Sequence, residues 1–315
     1  MSLSPTVTGK NTTKILWIRI KKNSWFYLCL FPGFICMVIF SYVPLYGLVG
    51  AFQKYNPFQG FFGSEWVGLE NFKLLFALPN FKNVFFNTLK IGFWSFIFGF
   101  PAPILLAIVF NEIINRRFKR VTQTISYIPN FISWVVATGI FYKFLAADGV
   151  VNDLLVFLGR QEPIYFFGEA RYFVPIVVLT GIWKGVGFSS ILYLAVLTGI
   201  DPGMYEAAEI DGANKLKQIW HITIPGMLPT ITLMLVLNLS NLLNVNFDQV
   251  YTMQNTMNIT ASEIMDTYIF KIVLNGTMHD YSRGMAVGLF RASICLVLFL
   301  ISNNISIKIG SGSVV

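Results

Sequence analysis

The sequence predicts an all-α membrane protein with six transmembrane helices. Three observations carry that expectation: six apolar runs of spanning length, a scarcity of charge, and basic residues that favour alternate loops. A span needs about 20 predominantly apolar residues to cross roughly 30 Å of hydrocarbon. The runs at 26–50, 86–110, 121–145, 172–199, 227–249 and 284–307 meet that length. Inside lipid the backbone finds no water, so such runs close their own hydrogen bonds as helices. Only 12% of the residues are charged, against about 25% in soluble domains.

Taken in order, residues 1–25 are polar and basic and precede the first run. That run exceeds the roughly 7–15-residue core of a signal peptide, and no small-x-small site closes it, so it reads as an uncleaved first span. Pro32 and Pro44 lie in the first span, Pro101 and Pro103 in the second, and Pro129 in the third. Proline at membrane depth kinks a helix where neighbours can bond the freed carbonyls, which suits a bundle lining a cavity. Cys29, Cys36 and Cys295 all sit inside apolar runs without metal-ligand spacing and read as fillers.

Orientation follows the loop Lys/Arg bias. Twelve basic residues fall in residues 1–25, 111–120 and 200–226 and in the tail. The opposite loops, 51–85, 146–171 and 250–283, hold seven against nine acids. The basic side is therefore expected to be cytoplasmic, with both termini inside. The net charge of +8 is then a topology signal rather than a nucleic-acid footprint.

Between the fourth and fifth runs lies "DPGMYEAAEIDGANKLKQIWHITIP", residues 201–225. Asp201 and Pro202 make a helix start, Asp as cap and Pro at the first helical position. Good helix formers follow, and Asp211-Gly212 stops them, because Gly takes the left-handed conformation that ends helices. The stretch "ANKLKQIWHI" reads as a second short helix ended by Pro225. The whole is a helix–Gly–helix projection, longer than an ordinary connector.

This segment resembles the EAA signature of binding-protein-dependent ABC importer permeases, roughly E-A-A-x-x-D-G-A followed downstream by I-x-L-P. Glu206, Ala207, Ala208, Asp211, Gly212, Ala213, Ile222 and Pro225 fall on that pattern, while Ile224 replaces the usual Leu. "YVPLYGLVGAFQKYNP", "RFKRVTQTISYIPNFISWVV" and "GIWKGVGFSSILYLAVLTGIDP" extend the resemblance toward the LplB-like branch, tied to oligosaccharide and polysaccharide uptake. The resemblance implies a type I ABC importer permease fold over residues 26–310, with a cytoplasmic segment before it and a short tail at 311–315. It implies that 201–225 couples to an ATP-binding cassette ATPase dimer. It further implies a second permease subunit, an extracytoplasmic solute-binding protein docking on the outer loops, and a bacterial cytoplasmic membrane as the location. No cofactor is expected on this chain; ATP and Mg belong to the partner ATPase. The residues agree, since the chain has no phosphate-cradling G-x-x-x-x-G-K-[ST] loop and "GVGFSS" only superficially echoes one.

Charged and polar groups at bilayer depth are functional candidates by default. Lys184 lies near the middle of the fourth run amid Gly181, Gly185 and Gly187; it either faces a wet cavity or is snorkelled or paired structurally. Asn238, Asn241, Asn244 and Asp248 recur at spacings of three, three and four in the fifth run, so one helical face is expected to carry them. Such side chains can bond sugar hydroxyls along a path, or equally bond neighbouring helices. Arg291 is expected to snorkel to the outer interface. His221 and His279 join no catalytic or metal constellation, and none is proposed. The rival from another class is an ion- or proton-coupled secondary sugar transporter, which would want inverted repeats and a buried acid relay. A purely structural membrane scaffold would not need the projection.

Overall fold

The structure is a computed structural model describing residues 21–274 and 280–308. The expected N-terminal segment up to residue 20, His279 and the expected tail at 311–315 lie outside those residues. Five described helices are long and apolar enough to cross a membrane: Ser24–Phe52, Pro79–Glu112, Ala170–Leu197, Lys215–Ser240 and Tyr281–Lys308. A sixth span is a bent pair, Arg116–Phe131 and Trp134–Phe144, meeting at 105°.

The third span thus departs from the single kinked helix expected over 121–145. Pro129 lies in a 3-10 turn at Ile128–Phe131, and Ile132 and Ser133 are extended. Ile128 before the proline is still helical, and the break falls after it, where the Ile132 amide reaches only the Pro129 carbonyl at 3.2 Å and the tightened turn stops. Ser133 restarts the helix by accepting a bond from the Val136 amide at 3.3 Å, an ordinary side-chain cap.

The fifth span also departs from 227–249. It begins earlier, at Lys215, and ends at Ser240; residues 241–246 form turns before a short helix, Phe247–Met253. Pro225 does not terminate the second leg. It rides just beyond a π-turn at Ile219–Thr223, where the Ile224 amide reaches back to the Ile219 carbonyl. The first span repeats the device: the Val43 amide bonds Val38 across the π-turn Val38–Tyr42, and Pro44 follows. A regular turn would drive each proline ring onto the carbonyl four residues back, and the wider turn accommodates it.

The fourth span, Ala170–Leu197, is the central element. At one end Phe173, Ile176 and Val177 pack with Ile91, Val250, Met253 and Ile264; toward the 201–225 end Tyr193 and Leu197 pack with Ala107, Ile108 and Met227. Gly187 allows the third span close, since a Cβ there would strike the Ser126 carbonyl. The first span is different: from Ser24 to Met37 no residue is buried.

Candidate coupling segment and membrane cavity

The projection is built by caps. Asp201 Oδ1 accepts from the Gly203 amide at 2.9 Å and opens the first leg, Pro202–Ile210. Gly212 closes it at φ +74°, with the Gly212 amide on Glu209 O (3.1 Å) and the Ala213 amide on Ala208 O (2.9 Å). Those two bonds make a Schellman ending, which requires the left-handed residue that Gly supplies without strain. Asn214 then caps the second leg by accepting from the Lys217 amide at 2.9 Å. From there the chain runs without interruption into the fifth span, so the leg and the membrane helix are one body.

Glu206, Ala207, Asp211 and Gly212 are exposed, Ala208 and Ala213 half-buried. Neither Glu206 nor Asp211 takes part in an ion pair among the described residues. Ile222 is buried and Pro225 exposed, so the two ends of the signature serve different tasks: Ile222 anchors, while the carboxylates face outward. In the same segment Met204, Ile210, Leu216 and Trp220 are each more than half exposed.

A cavity of about 340 Å³ lies between the second, fourth and fifth spans. Gly92, Ser95, Gly99, Gly181, Gly185 and Ser189 open its walls, and Asn238, Asn241, Asn244, Asn246 and Gln249 provide its amides. Its lining contains no charged side chain. The asparagines do not share one helical face as the spacing suggests. Asn238 is on the membrane helix and donates to Met234 O, Asn241 is its C-cap and donates to Leu237 O, and Asn244 stands in the turn, donating to Asn241 Oδ1 at 2.7 Å. The helix break, rather than helical periodicity, gathers three of the four at one cavity. Asp248, exposed in the first turn of Phe247–Met253, is not part of the lining.

Lys184 is likewise outside the cavity lining. Its ammonium donates to Asn130 O at 2.7 Å and Pro129 O at 3.4 Å, and lies 5.5 Å from the Trp134 ring centroid. Both carbonyls lie at the break in the third span, where Pro129 O also accepts the Ile132 amide. Arg291 does not snorkel: it pairs with Asp266, both about a quarter exposed.

Two features escaped the sequence reading. Gln249 is buried and donates to Val177 O (2.7 Å) and Thr180 Oγ1 (2.9 Å), tying the short helix to the fourth span. Nothing in its spacing announces a partner some seventy residues away. The exposed Met204, Ile210, Leu216 and Trp220 were legible in principle, being large apolar residues inside a polar loop.

Comparison with known proteins agrees with this geometry. Residues 99–309 match the family described as binding-protein-dependent transport system inner membrane component. The chain is 40% identical over 302 residues to a Bacillus subtilis polygalacturonan/rhamnogalacturonan transport system permease protein, YteP, covering 96% of this chain and 93% of that one. It is also 40% identical over 296 residues to Protein LplB of the same organism, covering 93% and 92%. Among solved structures, a bacterial ABC transporter involved in import of the acidic polysaccharide alginate matches at 37% identity and a TM-score of 0.83, over 93% of this chain and 99% of that one. A second, the alginate ABC transporter in complex with an alginate pentasaccharide-bound periplasmic protein, matches at 36% identity and 0.85, over 95% and 99%. None of these likenesses favours a secondary transporter. With a spanning bundle, a capped projection and this match over most of its length, the chain belongs to the inner membrane components of binding-protein-dependent transport systems and has their type I ABC importer permease fold.

Proposed function

We propose that this chain is one permease subunit of an ATP-driven importer of oligosaccharides or polysaccharides, and that residues 201–225 are its coupling segment. The observation that carries the reading is the rigid helix–Gly–helix projection, whose second leg is continuous with the fifth span. A displacement of that leg is a displacement of a membrane helix. Glu206, Ala207, Ala208, Asp211, Gly212 and Ala213 present the docking surface to an ATP-binding cassette ATPase, which supplies ATP and Mg; Ile222 and Pro225 seat the leg. Only differential contacts shift a two-state machine, and the exposed apolar side chains of the segment, with Glu206 and Asp211 in no ion pair among the described residues, supply such contacts.

Asn238, Asn241 and Asn244 offer amide groups to sugar hydroxyls along the path. The saccharide class rests on the names of the relatives. A second permease subunit completes the pathway, a solute-binding protein docks on the loops 51–85, 146–171 and 250–283, and both termini are cytoplasmic. Lys184 and Asp248 lie off the cavity wall; Lys184 acts on the path through the third-span break, whose Asn130 carbonyl it holds, and Asp248 stands exposed in the short helix beyond the amides.

The test is co-purification in mild detergent with this chain as bait, comparing wild type with Glu206→Ala and Gly212→Arg. The expected result is an ATPase and a second permease on the wild type, with ATPase lost from the variants. A chain that purifies alone and moves solute without ATP refutes the reading.

A further inference from the structure

The two legs of the coupling segment meet at Gly212, where a Cβ would touch nothing within 4 Å. Gly212 itself therefore contributes no packing to hold the angle. What spans the open side is a hydroxyl pair: Tyr205 Oη lies 3.1 Å from Thr223 Oγ1, eighteen residues apart in sequence. Thr223 is fully buried (0%) and forms the last residue of the π-turn. Its hydroxyl also reaches the Gln218 carbonyl at 3.5 Å as donor, and a hydroxyl has a single proton to give. At 3.5 Å that contact is too long to fix the proton, and either hydroxyl can donate in the pair. A second tie runs from Gln218 Nε2 to Ala213 O at 3.4 Å, and Lys215 Nζ steadies the Gln218 oxygen at 3.2 Å.

We propose that Tyr205 and Thr223 are positioning residues that brace the two legs, so that motion received near Gly212 enters the fifth span at the π-turn instead of being absorbed by a flexing vertex. This rests on the coupling reading above. The π-turn suits the role, because its wider ring already sits at the junction of leg and membrane helix and such turns concentrate at functional sites.

The test uses the complete transporter in lipid nanodiscs. With Cys29, Cys36 and Cys295 replaced by Ser, spin labels are attached through Glu209→Cys and Lys217→Cys, one on each leg. Their distance distribution is recorded without nucleotide and after trapping with ATP and vanadate. A single narrow distance is expected in both states for the parent. Tyr205→Phe and Thr223→Val should each broaden it, Thr223→Ser should restore it, and the double variant should match the singles. ATPase activity should fall about fivefold in the broadened variants while the amount of bound ATPase and the melting temperature hold. An unchanged, narrow distribution in Tyr205→Phe and Thr223→Val overturns the brace. Loss of bound ATPase in parallel with activity also overturns it, in favour of simple docking. If the parent retains no ATPase at all, the coupling reading itself falls, a result told apart by the bound-protein measurement alone.

Discussion

Replacing Lys184 by methionine separates two roles that the sequence leaves open for it. In the structure the ammonium caps the broken third span: Asn130 O at 2.7 Å is its principal acceptor, whereas Pro129 O at 3.4 Å already receives the Ile132 amide at 3.2 Å. One strong charged bond is therefore at stake, worth about 1.5–3 kcal/mol when its partner is left unsatisfied. The contact with the Trp134 ring at 5.5 Å adds about 0.5–1 kcal/mol. Methionine keeps the length and apolar stem, so the loss is expected at about 2–4 kcal/mol. At roughly 2 °C per kcal/mol for a chain of this size, the melting temperature in detergent should drop by about 4–8 °C. Lys184→Arg, which retains charge and donors, should recover most of it. A methionine variant that melts like wild type yet no longer transports solute would refute the structural assignment and put the cation to work on substrate.

Two further perturbations follow from the backbone. At Gly212, φ is +74° with open surroundings, so alanine costs only the left-handed penalty, about 1–2 kcal/mol. Asparagine, which tolerates that region, should cost less; ATPase activity of the assembled complex should rank Gly above Asn above Ala, and an equal response in all three would contradict the Schellman geometry. The glycines of the cavity should split: Gly92→Ala drives a methyl into the Leu242 carbonyl, while Gly185→Ala meets nothing within 4 Å. The first should lower the melting temperature and the second should fold normally while narrowing the cavity, which thermal melts of the two purified variants compare directly.

The spans were legible because bilayer thickness imposes a length that hydropathy alone reveals. The projection was legible because capping chemistry is local: Asp201, Gly212 and Asn214 act on amides two or three residues away. Breaks were harder. Pro129 announced a kink, but not a 105° turn, since the outcome depends on Lys184 arriving from a helix some fifty-five residues on. In the fifth span the asparagine periodicity pointed to a single face, yet that same run of Asn competes with the helix for its own carbonyls, as Asn238 and Asn241 do, and the helix ends there. Pro225 misled for a related reason. A local rule reads proline as a stop, whereas the widened turn at 219–223 lets the helix continue.

The unpacked first span has a consequence for biogenesis. Ser24–Met37 touches so little of its own chain that no residue there is buried, and it precedes the other described spans in the sequence. Nothing in the later helices has to be made before this one takes up its final neighbours in the bilayer. Assembly with another subunit can begin while the remainder of the chain is still being synthesised, and an orphaned copy carries an uncovered helix by which quality control can recognise it. Cys29 and Cys36, both exposed on that helix, are native handles for catching whatever lies against it during translation.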